Sequence, residues 1–429
     1  MAKLTYIKQA SQLLCMDGGR GPRKGREMSR LGVIADGSVI IEDGVIAFCG
    51  SDTLAELFMG SISKEALEKV EVIDARGMVA APGLIDSHTH AVYAGSRENE
   101  LEMRLHGAKY LDILKQGGGI LSTARQTRAA AEEALVTEAK SRLDRYLLHG
   151  VTTVEVKSGY GLTVEDELKQ LRAIRSLDRN HHVDVISTFM GAHAIPPEYA
   201  GRPDDYVKLV IEEMLPTVAS LGLAEFCDVF CEQGVFDISQ TARIQEAATA
   251  LGLKLKLHAD EIAEGFGGAE LAAALRSVSA DHLLKVSHTG IEALASSGTI
   301  AVLLPGTALF LMETPAPARA LIEAGVPVAL ATDCNPGTSP TCSLPFVMNA
   351  ACLTMRMTPA EVLTACTINA AYAVGRASSI GSLEAGKKGD VVLFKADNYK
   401  QLQYYYGMNL VDTVIKNGEV VVKGGMLVG

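Results

Sequence analysis

The sequence predicts an α/β fold, a (β/α)₈ barrel carrying a small β-sandwich domain formed by both chain termini. Three observations lead to it. The middle of the chain alternates short apolar runs with helical patterns, the order that builds βαβ units and a parallel sheet. The apolar runs number eight, as a (β/α)₈ barrel requires. Both ends are instead rich in short β runs punctuated by Asp-Gly and Asn-Gly, and chain ends often lie close together. The chain has 429 residues, and a barrel takes ~250, so a second domain is affordable in length. The expected division is 1–77 and 373–429 for the two parts of the small domain, with the barrel over 78–372.

The N-terminal part reads as Leu31-Gly32-Val33-Ile34 and Ser38-Val39-Ile40-Ile41 around Asp36-Gly37, then Asp43-Gly44 and Val45-Ile46-Ala47-Phe48. Asp-Gly between apolar runs is a hairpin signal, because these residues accept the positive φ of the turn. The barrel strands are expected at Met78–Asp86, Val151–Val156, Val183–Phe189, Phe226–Phe230, Leu253–Leu257, Ser277–Ala280, Thr299–Leu304 and Pro327–Ala331. Val164–Leu177 and Asp204–Leu221 between them have helical periodicity. Gly389–Phe394 and Gly418–Val422, the second opened by Asn417-Gly418, return to the β pattern.

Hydrophobic residues make up 48% of the chain and the formal net charge is −11. Sequence-independent nucleic-acid binding needs a basic surface and is not expected. An anionic substrate would need a local cation against this field. The eight Cys are scattered without a Cys-x-x-Cys pair, so reduced thiols are expected, with Cys227 and Cys231 in the core. The N-terminus lacks a signal-peptide pattern, and no apolar run approaches the ~18 residues of a membrane span. The cytoplasm is the expected compartment.

The chemistry lies where the strands end. Strand one runs into His88 and His90, two imidazoles at i and i+2 that share a strand face. Strand two runs into Lys157 and Tyr160, strand three ends near His193, strand five runs into His258 and Glu261, strand six into His282, and strand eight into Asp333. In a (β/α)₈ barrel these ends share one rim, where catalytic residues collect. Any one of these residues has a bland reading: a loop pair for His88 and His90, an N-cap for Asp333, a helix first turn for Glu261, a hydrogen-bonded core residue for His282. Five of the ten His with a carboxylate on one rim are harder to dismiss. His88, His90, His258 and Asp333 form an N₃O donor set that suits Zn²⁺ or iron. Asp333 could also accept a proton from a metal-bound water, and Glu261 could serve as general base or acid. His282 could polarise a carbonyl or hold the attacking water.

Lys157 could be a carboxylated bridge between two metals or a charge-pairing residue, and a single metal is the favoured reading. Arg97 could clamp a carboxylate bidentately or sit in an exposed salt bridge. Tyr160 could offer its hydroxyl to substrate or be a half-buried aromatic. Gly117-Gly118-Gly119 lacks a following Gly-Lys-Ser/Thr and reads as a lid or a tight backbone approach, not as a nucleotide loop. Asn335-Pro336-Gly337-Thr338 is a turn, either punctuation or a substrate lining. His106, His149, His181, His182 and His288 read as solvated surface.

These residues carry a resemblance. His88-Thr89-His90, His258 and Asp333 within eight βα units resemble the amidohydrolase superfamily. Gly117–Ile120, Glu155-Val156-Lys157-Ser158-Gly159-Tyr160-Gly161, Gly191-Ala192-His193, His258–Glu261, Ser279–His282 and Thr332–Gly337 are similar, more narrowly, to the branch that opens a five-membered cyclic amide bearing a propanoate in histidine degradation. The resemblance implies a metal-dependent hydrolase barrel with one Zn²⁺ or iron ion per subunit, held by His88, His90, His258 and Asp333. It implies that Arg97, Tyr160, His193, Asn335, Gly337 and Thr338 bind the small-molecule substrate or product, with Glu261, His282 and Asp333 catalytic. A homodimer is expected. A ring deaminase of the same superfamily and a non-catalytic binding protein on the same fold are the alternatives. The Arg97 and Lys157–Gly161 features weigh against the first, the intact ligand set against the second.

Overall fold

A computed structural model describes residues 3–62, 68–108 and 118–428. Eight parallel strands form the barrel sheet: β6 Leu84–Asp86, β7 Val151–Lys157, β8 Asp184–Ala192, β9 Phe226–Cys231, β10 Lys254–Ala259, β11 Ser279–His282, β12 Ile300–Leu303 and β13 Val328–Leu330, paired in chain order. The sheet closes beyond the strand ends. Asp86 accepts from Thr332 N at 3.1 Å and from Thr332 Oγ1 at 2.5 Å. Asp333 N donates to His88 O, and His90 N to Cys334 O, both at 3.0 Å. The same bonds that shut the barrel therefore tie together the ends of the first and eighth strands, which carry His88, His90 and Asp333.

A second sheet of nine strands draws on both termini. β1 Leu4–Leu14 and β2 Val33–Glu42 form its long antiparallel pair; β3 Val45–Ser51 joins β2, and β4 Glu71–Asp74 pairs in parallel with β1. β14 Val391–Phe394, β15 Val411–Lys416, β16 Glu419–Lys423 and β17 Met426–Leu427 extend it through β5 Val79–Pro82. Ile7, Leu13, Val39, Ile41, Val391, Leu393 and Ile415 bury its inner face.

Three expectations change. The run Met78–Asp86 is not one strand: β5 belongs to the terminal sheet and β6 to the barrel, with the break at Gly83. A side chain at Gly83 would collide with Thr152, so only glycine lets the chain step from one sheet to the other. Asp36-Gly37 is not a hairpin turn but lies inside β2. Gly37 faces Ala10, next to a register shift in β1, and Leu13 fills the space a Cβ would need. The left-handed Asp36 (φ 48°) absorbs an irregularity there and does not reverse the chain. Asp43-Gly44 and Asn417-Gly418 do turn, each with two positive φ values as a type I′ turn requires. Finally, the helix expected over Asp204–Leu221 is three segments, Pro203–Leu209, a π turn Val210–Met214, and Leu215–Ser220. Pro216 lacks the N–H that a regular ladder needs, which accounts for the irregular turn ahead of it.

All eight Cys are free, and Cys227 and Cys231 pack in the barrel core as expected. His181 is not solvated surface: its side chain is 3% exposed, Nε2 lies 3.1 Å from Asp144, and Nδ1 accepts from Val183 N. It ends the helix Val164–Asn180. Among the described residues, no helix is long and apolar enough to cross a membrane.

Candidate active site

The strand ends bring His88, His90 and His258 together, with one ligand atom of each within 4.8 Å of the others. His258 Nε2 lies 3.4 Å from His90 Nε2. Asp333 Oδ1 lies 3.5 Å from His88 Nε2 and 3.8 Å from His90 Nε2. A tetrahedron with Zn–N bonds of about 2.0–2.1 Å has edges of roughly 3.3–3.4 Å, so these donors fit one small ion. His88 Nε2 is buried without a hydrogen-bond partner, as a ligand atom awaiting a cation would be. Burial pushes the pKa values of His88 and His90 well below 6.5, which keeps both imidazoles neutral and able to donate a lone pair. Thr307 Oγ1 donates to Asp333 Oδ2 at 2.7 Å and leaves Oδ1 facing the histidines.

The backbone at this rim is unusual. Asp260 (φ 50°), His282 (φ 75°), Leu283 (φ 60°) and Asp333 (φ 53°) all lie in the left-handed region. Side chains there cost of order 1 kcal/mol or more each, and the surrounding network holds them in place.

Beneath the ligands sits a buried ionic layer that the sequence reading did not anticipate as a unit. Asp281 Oδ2 lies 2.6 Å from His88 Nδ1. A carboxylate there requires the proton on Nδ1, which frees Nε2 for a metal. Asp228 holds His258 differently: its Oδ2 lies 3.0 Å from Nδ1 without the alignment of a hydrogen bond, and its Oδ1 accepts from His258 N at 3.1 Å. Lys157 joins the two: its Nζ is 2.7 Å from Asp228, 2.8 Å from Glu155 and 3.6 Å from Asp281. Burial alone would lower the Lys157 pKa, but these carboxylates outweigh it and raise it. This is the charge-pairing reading of Lys157. Carboxylation would remove its positive charge and add an anion among three carboxylates. Asp228 had one visible signal, a lone acid in the otherwise apolar run Phe226–Cys231. Asp281 had none beyond its place next to His282.

A cavity of about 540 Å³ opens over the ligands, lined by His90, His258 and Asp333 together with Arg97, Tyr160, His193, Glu261, His282, Asn335 and Thr338. His193 stacks on His90 with ring centres 4.8 Å apart, and its Nδ1 lies 3.0 Å from Gly159 O. Glu261 Oε1 is 3.6 Å from His282 Nδ1. Arg97 is neither exposed nor unpaired: Nε and Nη2 bond Glu100 at 2.9 and 2.8 Å, and its side chain is 5% exposed. Gly119 N also donates to Glu100 at 2.8 Å, a close backbone approach at the end of the glycine run. Gly117 lies outside the described residues. Arg104 and Lys285 add further cations to the cavity wall.

Asn335 braces its own turn, accepting from Gly337 N and Thr338 N at 2.8 Å and donating to Asp333 O at 2.7 Å. Gly337 does not line the cavity with a side chain. A Cβ there would sit inside the Arg97 guanidinium. Gly337→Ala is therefore expected to displace Arg97 and raise KM roughly tenfold, while metal content stays unchanged. Steady-state kinetics with elemental analysis checks this, and an unaltered KM would show that the guanidinium tolerates the shift.

A parallel barrel with three histidines gathered at its C-terminal rim in an arrangement that could hold a metal fits a metal-dependent hydrolase class, and the amidohydrolase family profile matches residues 79–421; the chain belongs to that family. Relatives narrow the assignment. The imidazolonepropionase of Shouchella clausii (strain KSM-K16) is 60% identical over 428 residues, 100% of this chain and 95% of the relative. That of Geobacillus kaustophilus (strain HTA426) is 58% identical, covering 98% of each. At this identity over its whole length, the chain belongs to the imidazolonepropionase branch of the family. Solved structures share the fold at lower identity. Atrazine chlorohydrolase TrzN from Arthrobacter aurescens TC1 complexed with zinc superposes with a TM-score of 0.73 at 18% identity, covering 99% of this chain and 96% of that one. Guanine deaminase from E. coli superposes at 0.72 with 15% identity, covering 98% and 99%.

Proposed function

We infer that the chain hydrolyses the cyclic amide C–N bond of 4-imidazolone-5-propanoate to N-formimidoyl-L-glutamate, a step of histidine degradation. The observation that carries the reading is the placement of Arg97 in one wall of the cavity that His90, His258 and Asp333 also line, with His88 clustered behind them. A zinc or iron ion on those four residues would lower the pKa of water from about 15.7 to ~7, making hydroxide available at neutral pH.

The remaining roles fall to the chain's own side chains. Arg97 holds the propanoate, with Arg104 and Lys285 in the same cavity lining adding local positive charge against the −11 net charge of the chain. Glu100 keeps the planar Arg97 fork oriented. Tyr160, His193, Asn335 and Thr338 position the ring, and Gly337 leaves Arg97 the space it occupies. Burial, then the nearby Asp333 and Glu232 carboxylates, push the Glu261 pKa up to about 8. That value lies near the operating pH, which suits a group that takes up and returns a proton, here to the leaving ring nitrogen. Burial holds the His282 pKa well below 6.5, so as a neutral imidazole it orients the ring carbonyl. Asp333 accepts the proton of the attacking water through its carboxylate.

Relatives at 58 and 60% identity favour this reading over a ring deaminase. It extends to one zinc or iron ion per subunit and a homodimer working in the cytoplasm. Elemental analysis, light scattering and an assay of ring opening test these points together. Arg97→Ala is expected to raise KM by roughly 10–100-fold, the loss of one charge-assisted contact, with a smaller change in kcat. Arg97→Lys should restore little of it, since an ammonium lacks the planar fork. Unchanged KM in both variants would remove Arg97 from the propanoate site.

A further inference from the structure

We propose that Glu232 is a positioning residue that latches the loop carrying Glu261. Glu232 directly follows β9 and is fully buried, and beyond its charge near Glu261 it has no part in the roles above. Its two carboxylate oxygens collect successive backbone donors from the loop after β10. Oε2 accepts from Glu261 N at 3.0 Å and Ile262 N at 2.8 Å, and Oε1 accepts from Ala263 N at 3.2 Å. Oε1 also accepts from Gln233 N at 2.8 Å, which fixes the carboxylate against its own turn.

The loop needs such an anchor. Residues 260–267 contain no regular hydrogen-bond ladder of their own. Asp260 secures the far end by accepting from Gly268 N and Ala269 N at 2.9 and 3.0 Å, at the start of the helix Gly268–Ala274. The near end, which holds Glu261, hangs on Glu232. Three consecutive N–H groups turned to one carboxylate form a concave backbone site, and charge-assisted bonds of this kind are about twice as strong as neutral ones. The strand-four end thereby sets the position of a side chain that strand five supplies. Ile262 beside it is 53% exposed, so packing by its side chain does not hold the loop.

The inference rests on the role given to Glu261, and the experiment separates the two. Glu261→Gln tests that role alone and is expected to lower kcat. Glu232→Gln removes the charge and half of the acceptor capacity. It is expected to lower kcat about tenfold or more, with KM within about twofold and metal content unchanged. In the double variant, Glu232→Gln should cost nothing beyond Glu261→Gln, because it acts only through that residue. A kcat lowered by Glu261→Gln but untouched by Glu232→Gln overturns the latch, as do additive losses. An unaffected Glu261→Gln variant overturns the Glu261 role instead. Hydrogen exchange on the wild-type holoenzyme serves if Glu232→Gln does not fold: the Ile262 and Ala263 amides should be protected despite their exposed loop, and fast exchange there also overturns the latch.

Discussion

Replacing His258 with alanine is expected to strip the bound metal and abolish ring opening. His258 Nε2 stands 3.4 Å from His90 Nε2, so its removal breaks the donor set at its centre. The loss reaches further than one ligand. Asp228, held well below the usual carboxylate range by His258 and Lys157 against the effect of burial, would face an empty space on one side. Without hydroxide at neutral pH, the remaining groups can hold and orient the substrate but have no nucleophile to offer, so the rate should fall by several orders of magnitude. Elemental analysis and a ring-opening assay on the same preparation check this. A metal-free His258→Ala protein with full activity would refute the assignment of the site.

Lys157→Met should have the largest effect on stability. The substitution nearly preserves volume but leaves Glu155, Asp228 and Asp281 in the barrel interior with Lys256 as the remaining nearby cation. Lys256 is 3.8 Å from Glu155. Breaking a buried ion pair by removing one partner costs about 3–5 kcal/mol, because the other charge stays desolvated. Metal affinity should also fall by roughly 10–100-fold, since Asp228 and Asp281 orient His258 and His88. Denaturant titration of the metal-free protein, with zinc titration of the folded fraction, measures the two effects separately. Wild-type stability in Lys157→Met would mean that the carboxylates take up protons without penalty and that the lysine is not their counter-charge.

Much of the site was legible because barrel topology converts sequence order into place. Residues just after parallel strands must meet at one rim, so His88, His90, His258 and Asp333 could be grouped without coordinates. What escaped was whatever depends on depth and on pairing between strands. Glu155 and Lys157 share one strand face at i and i+2, but nothing in that spacing names Asp228 or Asp281 as partners. Arg97 illustrates a different limit. By sequence a carboxylate clamp and a salt bridge are alternatives for it, and the structure places a paired arginine in the cavity wall. Glu232 was invisible because its partners are backbone N–H groups, which carry no residue identity.

The sequence by itself determined the strand count, the order of the rim residues and the donor chemistry, because apolar periodicity and side-chain type are local properties. It also offered Asp43-Gly44 as a hairpin signal and Asn417-Gly418 as the opening of a strand, and both are turns in the structure. Only the tertiary structure decided that Met78–Asp86 serves two sheets, that Asp36-Gly37 continues a strand, and that Lys157 is a counter-charge. Each of those outcomes turns on a contact with a distant segment: Thr152 against Gly83, Leu13 against Gly37, Asp228 and Asp281 against Lys157. Propensity cannot see such contacts, since steric exclusion and buried charge balance exist only after the chain has closed on itself.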